Sequence, residues 1–357
     1  MRLQTYATAL LIPAIVFAQE TSLPAEKIRE IDQVVTTEMA RNTVPGISVA
    51  VASGAGVRWS RGYGLADLEN LVPVTSLTRI RLGSIAKPIT ATAVMQLVEQ
   101  NKIQLDAPIQ KYVPSFPQKQ WPLTIRALLG HLGGVRHYAG IQEMDSTRHY
   151  TDVTEPLKIF ADDPLLFEPG AKYSYTTYGF NLLGTAVESA SGMKFVDYLR
   201  ERIFQPAGMT QIGPDDVFAI IPHRARGYRL SVDKRLENCA LADTSNKIPG
   251  GGLISTADDL VAFALALNAG KLVKPATRDL MFTAQHPREG NSGQYGMGWT
   301  VGTIDGRPMV AHGGGQQGIS TFLVLFPKEG ISIAVMLNRE GAPSRDTAER
   351  IARVVFR

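Results

Sequence analysis

Cysteine, long apolar runs and runs of one charge are all scarce in this sequence. Cys239 is the single cysteine, so an internal disulfide is excluded and packing must stabilise the fold; we expect a buried, inert thiol. Lys and Arg total 37 against 33 Asp and Glu, and they form no basic run of the kind that grips phosphates. This charge pattern argues against nucleic acid as a partner.

The marked apolar run lies near the N-terminus, at residues 7–17, after the charged Arg2. It contains Pro13 and is shorter than the roughly 20 apolar residues that cross a bilayer. Val16-Phe17-Ala18 ends in a small residue, as signal-peptide cleavage sites do. We therefore predict a signal peptide at residues 1–18 that is cleaved after Ala18, no stable membrane anchor, and a periplasmic or secreted mature chain.

Two common catalytic signatures are absent. Without a Gly-x-Ser-x-Gly elbow the chain is not an α/β-hydrolase. Without His-Glu-x-x-His the spacing offers no metal pair, so we expect His131 and His137 to be structural and the reaction to need neither metal nor cofactor. Residues 313–318 match Gly-x-Gly-x-x-Gly, but they lie between predicted strands and open no helix, which argues against nucleotide binding.

Hydrophobic periodicity predicts strands and a helix at both ends of the chain, with helices between them. A helix pattern from residue 22 ends at residues 45–46, and a hairpin follows over 47–63. Strand patterns return at 297–304, 308–312, 319–326 and 331–338, before a final helix at 345–356. The sequence therefore predicts one α+β domain over residues 22–357. An antiparallel sheet (about 22–82 and 290–357) is flanked by the N- and C-terminal helices, and a helical subdomain (about 83–289) is inserted into it.

Ser84 and Lys87 stand three residues apart where strand-like sequence gives way to a helix pattern. This spacing places an amine beside a serine hydroxyl on one helix face. Ser191 and Ser231 have a lysine at the same spacing, so position has to select among the three. Pro88 belongs in the first turn of a helix, which puts Ser84 at the helix N-terminus and favours it as the nucleophile.

Lys87 is ordinarily protonated, so the serine needs a further proton acceptor. The loop at residues 167–179 supplies Tyr175, whose phenolate a nearby ammonium would favour and which could then act as general base. The plainer interpretation is that the tyrosines of this loop pack or form hydrogen bonds.

His312 precedes three glycines, Gly313, Gly314 and Gly315, between two predicted strands. The glycines would let a backbone approach a substrate closely and leave N–H groups for an oxyanion, while His312 could supply a donor or a positive charge. Taken alone, this segment is typical of a glycine-rich hairpin.

Together these segments resemble the serine β-lactamase-like family, which includes class C β-lactamases, D-alanyl-D-alanine carboxypeptidases and related esterases. Residues 131–138 and 175–179 look most like the branch that contains the mitochondrial serine β-lactamase-like protein and its bacterial relatives. The matching segments are Ser84 to Lys87 for the family's Ser-x-x-Lys, Tyr175-Thr176-Thr177 for Tyr-x-Asn, and His312-Gly313-Gly314 for Lys/His-Thr-Gly.

The resemblance implies a β-lactamase/penicillin-binding-protein-like fold. It implies Ser84 as the acylated nucleophile, Lys87 and Tyr175 as the proton-transfer pair, and His312 on the side of the substrate carboxylate. It also implies an oxyanion hole from the N–H groups of Ser84 and Gly315.

Departures from the family pattern affect the substrate rather than the acyl-transfer residues. Thr177 replaces asparagine, Gly313 replaces threonine, and His312 replaces the lysine of true β-lactamases. We therefore predict an exported serine hydrolase that acts on an ester or amide (peptide-like) carbonyl of a small-molecule or peptide substrate. The alternatives are a β-lactamase or D-alanyl-D-alanine carboxypeptidase, and a catalytically weak scaffold that self-assembles as a homo-oligomer.

Overall fold

The computed structural model of the chain describes residues 23–54, 58–290 and 294–357, so the predicted signal peptide lies outside the described residues. The described strands are β1 (Gly46–Ser53), β2 (Arg58–Asp67), β3 (Val72–Pro73), β4 (Ile80–Arg81), β5 (Gly213–Pro214), β6 (Tyr228–Leu230), β7 (Leu236–Asn238), β8 (Leu253–Ser255), β9 (Thr300–Ile304), β10 (Arg307–Gln316), β11 (Ile319–Phe326) and β12 (Ile331–Leu337). The described α-helices are α1 (Ala25–Asn42), α2 (Ala86–Glu99), α3 (Ile125–Leu129), α4 (Ile141–Met144), α5 (Tyr178–Ser191), α6 (Phe195–Leu199), α7 (Gln205–Ala207), α8 (Ile248–Gly251), α9 (Ala257–Asn268), α10 (Pro275–Met281) and α11 (Ser344–Phe356).

The two ends of the chain build one seven-stranded antiparallel sheet, in the order β3-β2-β1-β12-β11-β10-β9. At its centre β1 pairs with β12, with Ile47 opposite Leu337 and Ser53 opposite Ile331. The hairpin and the C-terminal strands expected from the periodicity are thus neighbours in one layer.

Successive residues of β1 pack into two different hydrophobic cores, because the side chains of a strand point alternately to its two faces. Val49 and Val51 face the layer of α1 and α11, whereas Ala50 and Ala52 face the helical part. On that second face α9 packs against β1 and β12, and α2 packs against α5. The predicted α+β fold, with terminal helices flanking an antiparallel sheet, is confirmed.

The glycines after His312 lie in the first strand of the predicted glycine-rich hairpin, which β10 and β11 form, so the strand predicted at 308–312 ends too early. β10 continues to Gln316, with Gly313 opposite Phe322, and the turn comes only at residues 317–318. The reason is a close backbone approach: a Cβ on Gly314 would stand 2.0 Å from the carbonyl oxygen of Leu82. Glycine at this position lets the segment before Ser84 pack against the sheet.

No helix within the described ranges is both long enough and apolar enough to cross a bilayer.

Candidate active site

Ser84 lies in a 3₁₀ turn, Gly83–Ile85, that leads directly into α2. Gly83 has φ +53°, a left-handed conformation that favours glycine, and a Cβ there would stand 3.0 Å from the Gly315 backbone nitrogen. Pro88 falls in the first turn of α2, as expected, where its missing N–H costs no helical hydrogen bond. The turn thus places Ser84 between the helical part and the edge of β10.

Lys87 is fully buried and its amine contacts three oxygen atoms. Nζ lies 2.9 Å from Ser84 Oγ, 3.1 Å from Thr177 Oγ1 and 2.7 Å from the Gly250 carbonyl oxygen. Burial lowers the pKa of Lys87 well below its usual value, and the positive charge of Lys247 lowers it further. Both effects favour the uncharged amine, which is the form that can accept the serine proton.

Tyr175 stands on the other side of the serine. The Lys87 Nζ lies 4.8 Å from the centre of the Tyr175 ring, and the phenol forms a hydrogen bond with Ser84. Burial raises the pKa of Tyr175, so at neutral pH the phenol keeps its proton. The electrostatics therefore favour a neutral Lys87 beside a neutral Tyr175, not the ammonium and phenolate pair expected from the sequence.

Two histidines contact the loop that carries Tyr175. The His131 ring lies 4.3 Å from the Tyr175 ring, between centroids, and its Nδ1 accepts a hydrogen bond from the Thr176 N–H at 3.2 Å. The Thr177 N–H donates to His137 Nδ1 at 3.3 Å. Burial lowers the pKa of His131 well below its usual value and that of His137 to about 4, so both rings are neutral acceptors at pH 7.

His312 is also buried, with both ring nitrogens engaged. Nε2 lies 2.9 Å from the Tyr295 hydroxyl, and Nδ1 lies 2.7 Å from the Gly313 carbonyl oxygen. Burial, followed by the nearby Lys87, lowers the pKa of His312 to about 3. His312 therefore presents no positive charge at neutral pH.

The glycines of β10 border the serine turn. β9 pairs with β10 only as far as Ala311, and beyond that residue the turn at Gly83 packs against Gly314 and Gly315. The outer edge of β10 therefore faces Ser84, which is where a backbone donor for an oxyanion would have to lie.

Sequence reasoning missed three contributors to this site. Tyr138 forms a hydrogen bond with Thr177, the Gly250 carbonyl accepts from Lys87, and Lys247 adds a second buried amine. Each comes from a segment distant in sequence from Ser84, and none carries a recognisable local motif. Only the family-like stretch at residues 131–138 pointed toward Tyr138.

Cys239 is half-buried and lies in the wall of a cavity of about 320 Å³, beside Arg81 and Gln317. Burial raises the pKa of its thiol, which disfavours the reactive thiolate. Over the described residues, no group of three His, Cys, Asp or Glu side chains is arranged to hold a metal ion.

The family model for β-lactamase matches residues 31–356. The chain belongs to the β-lactamase family. One relative is the human serine beta-lactamase-like protein LACTB, mitochondrial. It is 30% identical to this chain over an alignment of 415 residues, which covers 86% of this chain and 76% of the relative. The protein is accordingly a serine hydrolase related to β-lactamases and penicillin-binding proteins.

Solved protein structures share the fold of this chain. The octameric penicillin-binding protein homologue from Pyrococcus abyssi superposes with a TM-score of 0.81 at 25% identity, covering 92% of this chain and 77% of that one. The D-amino acid amidase from Ochrobactrum anthropi SV3, complexed with L-phenylalanine amide, also gives 0.81, at 22% identity, covering 93% and 99%. The second likeness is one of fold alone.

Proposed function

We propose that this β-lactamase-family protein hydrolyses an ester or amide (peptide-like) carbonyl through an acyl-enzyme on Ser84. The observation that carries the proposal is the contact of Lys87 Nζ with Ser84 Oγ at 2.9 Å, made by an amine whose pKa is lowered by burial. A neutral amine at hydrogen-bond distance is the general base that a serine hydroxyl needs.

The proposed reaction uses the three polar side chains in turn. Ser84 Oγ forms a bond to the substrate carbonyl carbon while its proton passes to Lys87 Nζ. Tyr175, hydrogen-bonded to Ser84, is placed to transfer a proton to the leaving alcohol or amine as its bond to carbon breaks. The N–H groups of Ser84 and Gly315 would stabilise the oxyanion, and water then attacks the acyl-enzyme with the proton transfers reversed.

An uncharged ester or amide fits this site better than a β-lactam or a D-alanyl peptide. Those substrates carry a carboxylate, and His312, which the family places on the carboxylate side, is neutral. Thr177 also has no side-chain amide that could bind the substrate, and its hydroxyl already contacts Lys87 and Tyr138.

Export and self-assembly stay predictions. Export depends on residues 1–18, and the octameric state printed for the Pyrococcus abyssi homologue belongs to that protein.

A fluorophosphonate probe tests the nucleophile, since it adds mass to an activated serine. We expect Ser84→Ala to lose labelling and to lower turnover of p-nitrophenyl esters by about 10³-fold or more. Panels of uncharged esters, peptide amides and β-lactams, run on the unaltered enzyme, would rank the substrate classes.

Ser191 and Ser231 provide matched controls because each precedes a lysine at the same spacing. Ser191 Oγ accepts a hydrogen bond from the Met193 N–H at 3.1 Å, and Ser231 Oγ accepts one from the Arg235 N–H at 3.0 Å. Alanine at either position should leave labelling intact. Full esterase activity in Ser84→Ala would refute the proposed mechanism.

A further inference from the structure

Lys247 is a buried amine that the proposed reaction does not use. It ends a 3₁₀ turn just before α8, and 2% of its surface is exposed. Its Nζ donates to the Met144 carbonyl oxygen at 2.8 Å and lies 5.3 Å from the centre of the Tyr138 ring. A carbonyl dipole and a ring face stabilise an ammonium there without neutralising it.

The acidic groups that act on Lys247 are engaged with other partners. Asp215 pairs with Arg81 at 2.6 Å, Asp243 lies 2.7 Å from His149 Nδ1, and Asp145 accepts a hydrogen bond from the Gln317 side chain. Arg81 also opposes the charge of Lys247.

A short polar path joins Lys247 to Lys87. The Tyr138 hydroxyl forms a hydrogen bond with Thr177, and Thr177 Oγ1 lies 3.1 Å from Lys87 Nζ. A second link runs through the backbone, because Gly250, three residues after Lys247, carries the carbonyl that binds Lys87. The Tyr138 and Thr177 pair therefore links the two amines.

The contacts of Lys87 do not by themselves fix its charge. Three oxygen atoms suit an ammonium that donates to all of them. They equally suit a neutral amine that donates to Thr177 and Gly250 and accepts from the Ser84 hydroxyl. Only the second arrangement can take up the serine proton. Burial favours it, and a positive charge outside this shell would favour it further.

The other titratable groups around Lys87 are neutral at pH 7. Burial holds His131 and His312 unprotonated, and it holds Tyr175 and Tyr138 in their protonated forms. Lys247 is the charged side chain that acts on Lys87 within the part of the chain that the structure describes.

We propose that Lys247 is a positioning residue for acyl transfer: its ammonium, buried behind Tyr138, keeps Lys87 in the neutral form that accepts the Ser84 proton. This inference rests on the proposed function, because it assigns Lys87 the role of base. Two like charges in one buried region disfavour each other, and Lys247 has a pKa of about 8, so it is the amine that carries the charge at neutral pH.

The pH dependence of kcat/KM for an uncharged ester tests the proposal. In Lys247→Met the acid limb should move to higher pH by about one unit, so that kcat/KM below the limb falls about 10-fold while the alkaline plateau stays unchanged. Lys247→Arg keeps the charge and should keep the limb of the unaltered enzyme. Lys158→Met, at an exposed position, controls for the loss of a lysine elsewhere.

A lowered plateau with an unmoved limb in Lys247→Met would mean that Lys247 only supports Tyr138 or α8, and would overturn the proposal. If Lys247→Met does not fold, ¹³Cε-lysine NMR of the unaltered enzyme decides: Lys87 should be neutral at pH 7, and a charged Lys87 would overturn the proposal. Failure of the proposed function has a different signature, namely a probe that labels no serine or labels one other than Ser84.

Discussion

Thr177 serves two side chains with one hydroxyl. Its Oγ1 lies 3.1 Å from Lys87 Nζ, and the same group forms a hydrogen bond with Tyr138. Its methyl group faces Gly250, where an added Cβ would stand only 2.6 Å from Thr177 Cγ2. A branched residue of this size therefore fills the space beside the lysine and leaves little room for the longer asparagine of the family pattern.

Replacing Thr177 with valine should therefore impair catalysis with little change in shape. Valine keeps the branched form but leaves buried partners unsatisfied, a loss of about 1–3 kcal/mol that corresponds to roughly 5- to 150-fold in kcat/KM. Thr177→Ser retains the hydroxyl and should stay within a few-fold of the unaltered enzyme. Equal activity in both variants, measured by ester hydrolysis, would show that the hydroxyl is dispensable.

At this scale the sequence predicts the nucleophile better than its surroundings. Pro88 identifies Ser84 because proline is favoured in the first turn of a helix, which is a local preference that the sequence alone reveals. The oxygen atoms around Lys87 come from Thr177 and Gly250, far along the chain, and no periodicity reports which segments meet. The charge states of Tyr175 and His312 were also inaccessible, because they depend on how deeply the fold buries each ring.

β10 connects the sheet to the serine turn. Thr321 on the neighbouring strand β11 donates its hydroxyl to the Leu82 carbonyl oxygen at 2.8 Å, directly opposite Gly314. The turn that carries Ser84 therefore rests on the backbone of β10, with Gly314 as the point of closest approach.

A side chain at Gly314 should push these elements apart. In Gly314→Ala the new Cβ would meet the Leu82 carbonyl oxygen at 2.0 Å and Thr321 Oγ1 at 2.3 Å, so we expect the free energy of unfolding to fall by about 1–3 kcal/mol. Gly313→Ala is the matched control, since its nearest new contact is 3.6 Å, to Phe322. Equal unfolding free energies for the two variants in urea titrations would contradict this account of the strand.

Elements with strong periodicity were predictable and the glycine strand was not. β11 spans the residues 319–326 that the pattern predicts, because its apolar side chains are buried throughout. At residues 313–315 local sequence favours a turn, and the requirement for glycine comes from the Leu82 backbone, which belongs to another part of the chain.

The molecule as a whole buries amines and phenols together. Lys87 and Lys247 both have lowered pKa values, the second about 8, while burial raises the pKa of Tyr175 and Tyr295. A lysine whose pKa is lower in the folded state binds fewer protons there than in the unfolded chain, up to about pH 10.5. Over that range the stability contributed by these lysines increases with pH.

We therefore expect maximal stability at an alkaline pH, between about pH 8 and 10, where most proteins are already past their maximum. From about pH 8 upward Lys247 adds up to about 1.4 kcal/mol per pH unit to the free energy of unfolding, and Lys87 adds up to the same amount above its own lowered pKa. The Cys239 thiol has the opposite effect. Because burial raises its pKa, the folded chain keeps a proton that the unfolded chain loses, which offsets the contribution of one lysine. Near pH 10 the tyrosines reverse the trend, because the unfolded chain then loses phenolic protons that the folded chain keeps.

Urea unfolding at constant ionic strength, from pH 6 to pH 11, measures this profile. Lys87→Met removes one titrating amine. Between pH 7 and 10 it should lower the slope of the unfolding free energy against pH by the amount that corresponds to about one proton, whatever its effect on absolute stability. A maximum at or below pH 7, or a slope that Lys87→Met leaves unchanged, would mean that Lys87 is charged in the folded protein. Such a result would also remove the general base on which the proposed acyl transfer depends.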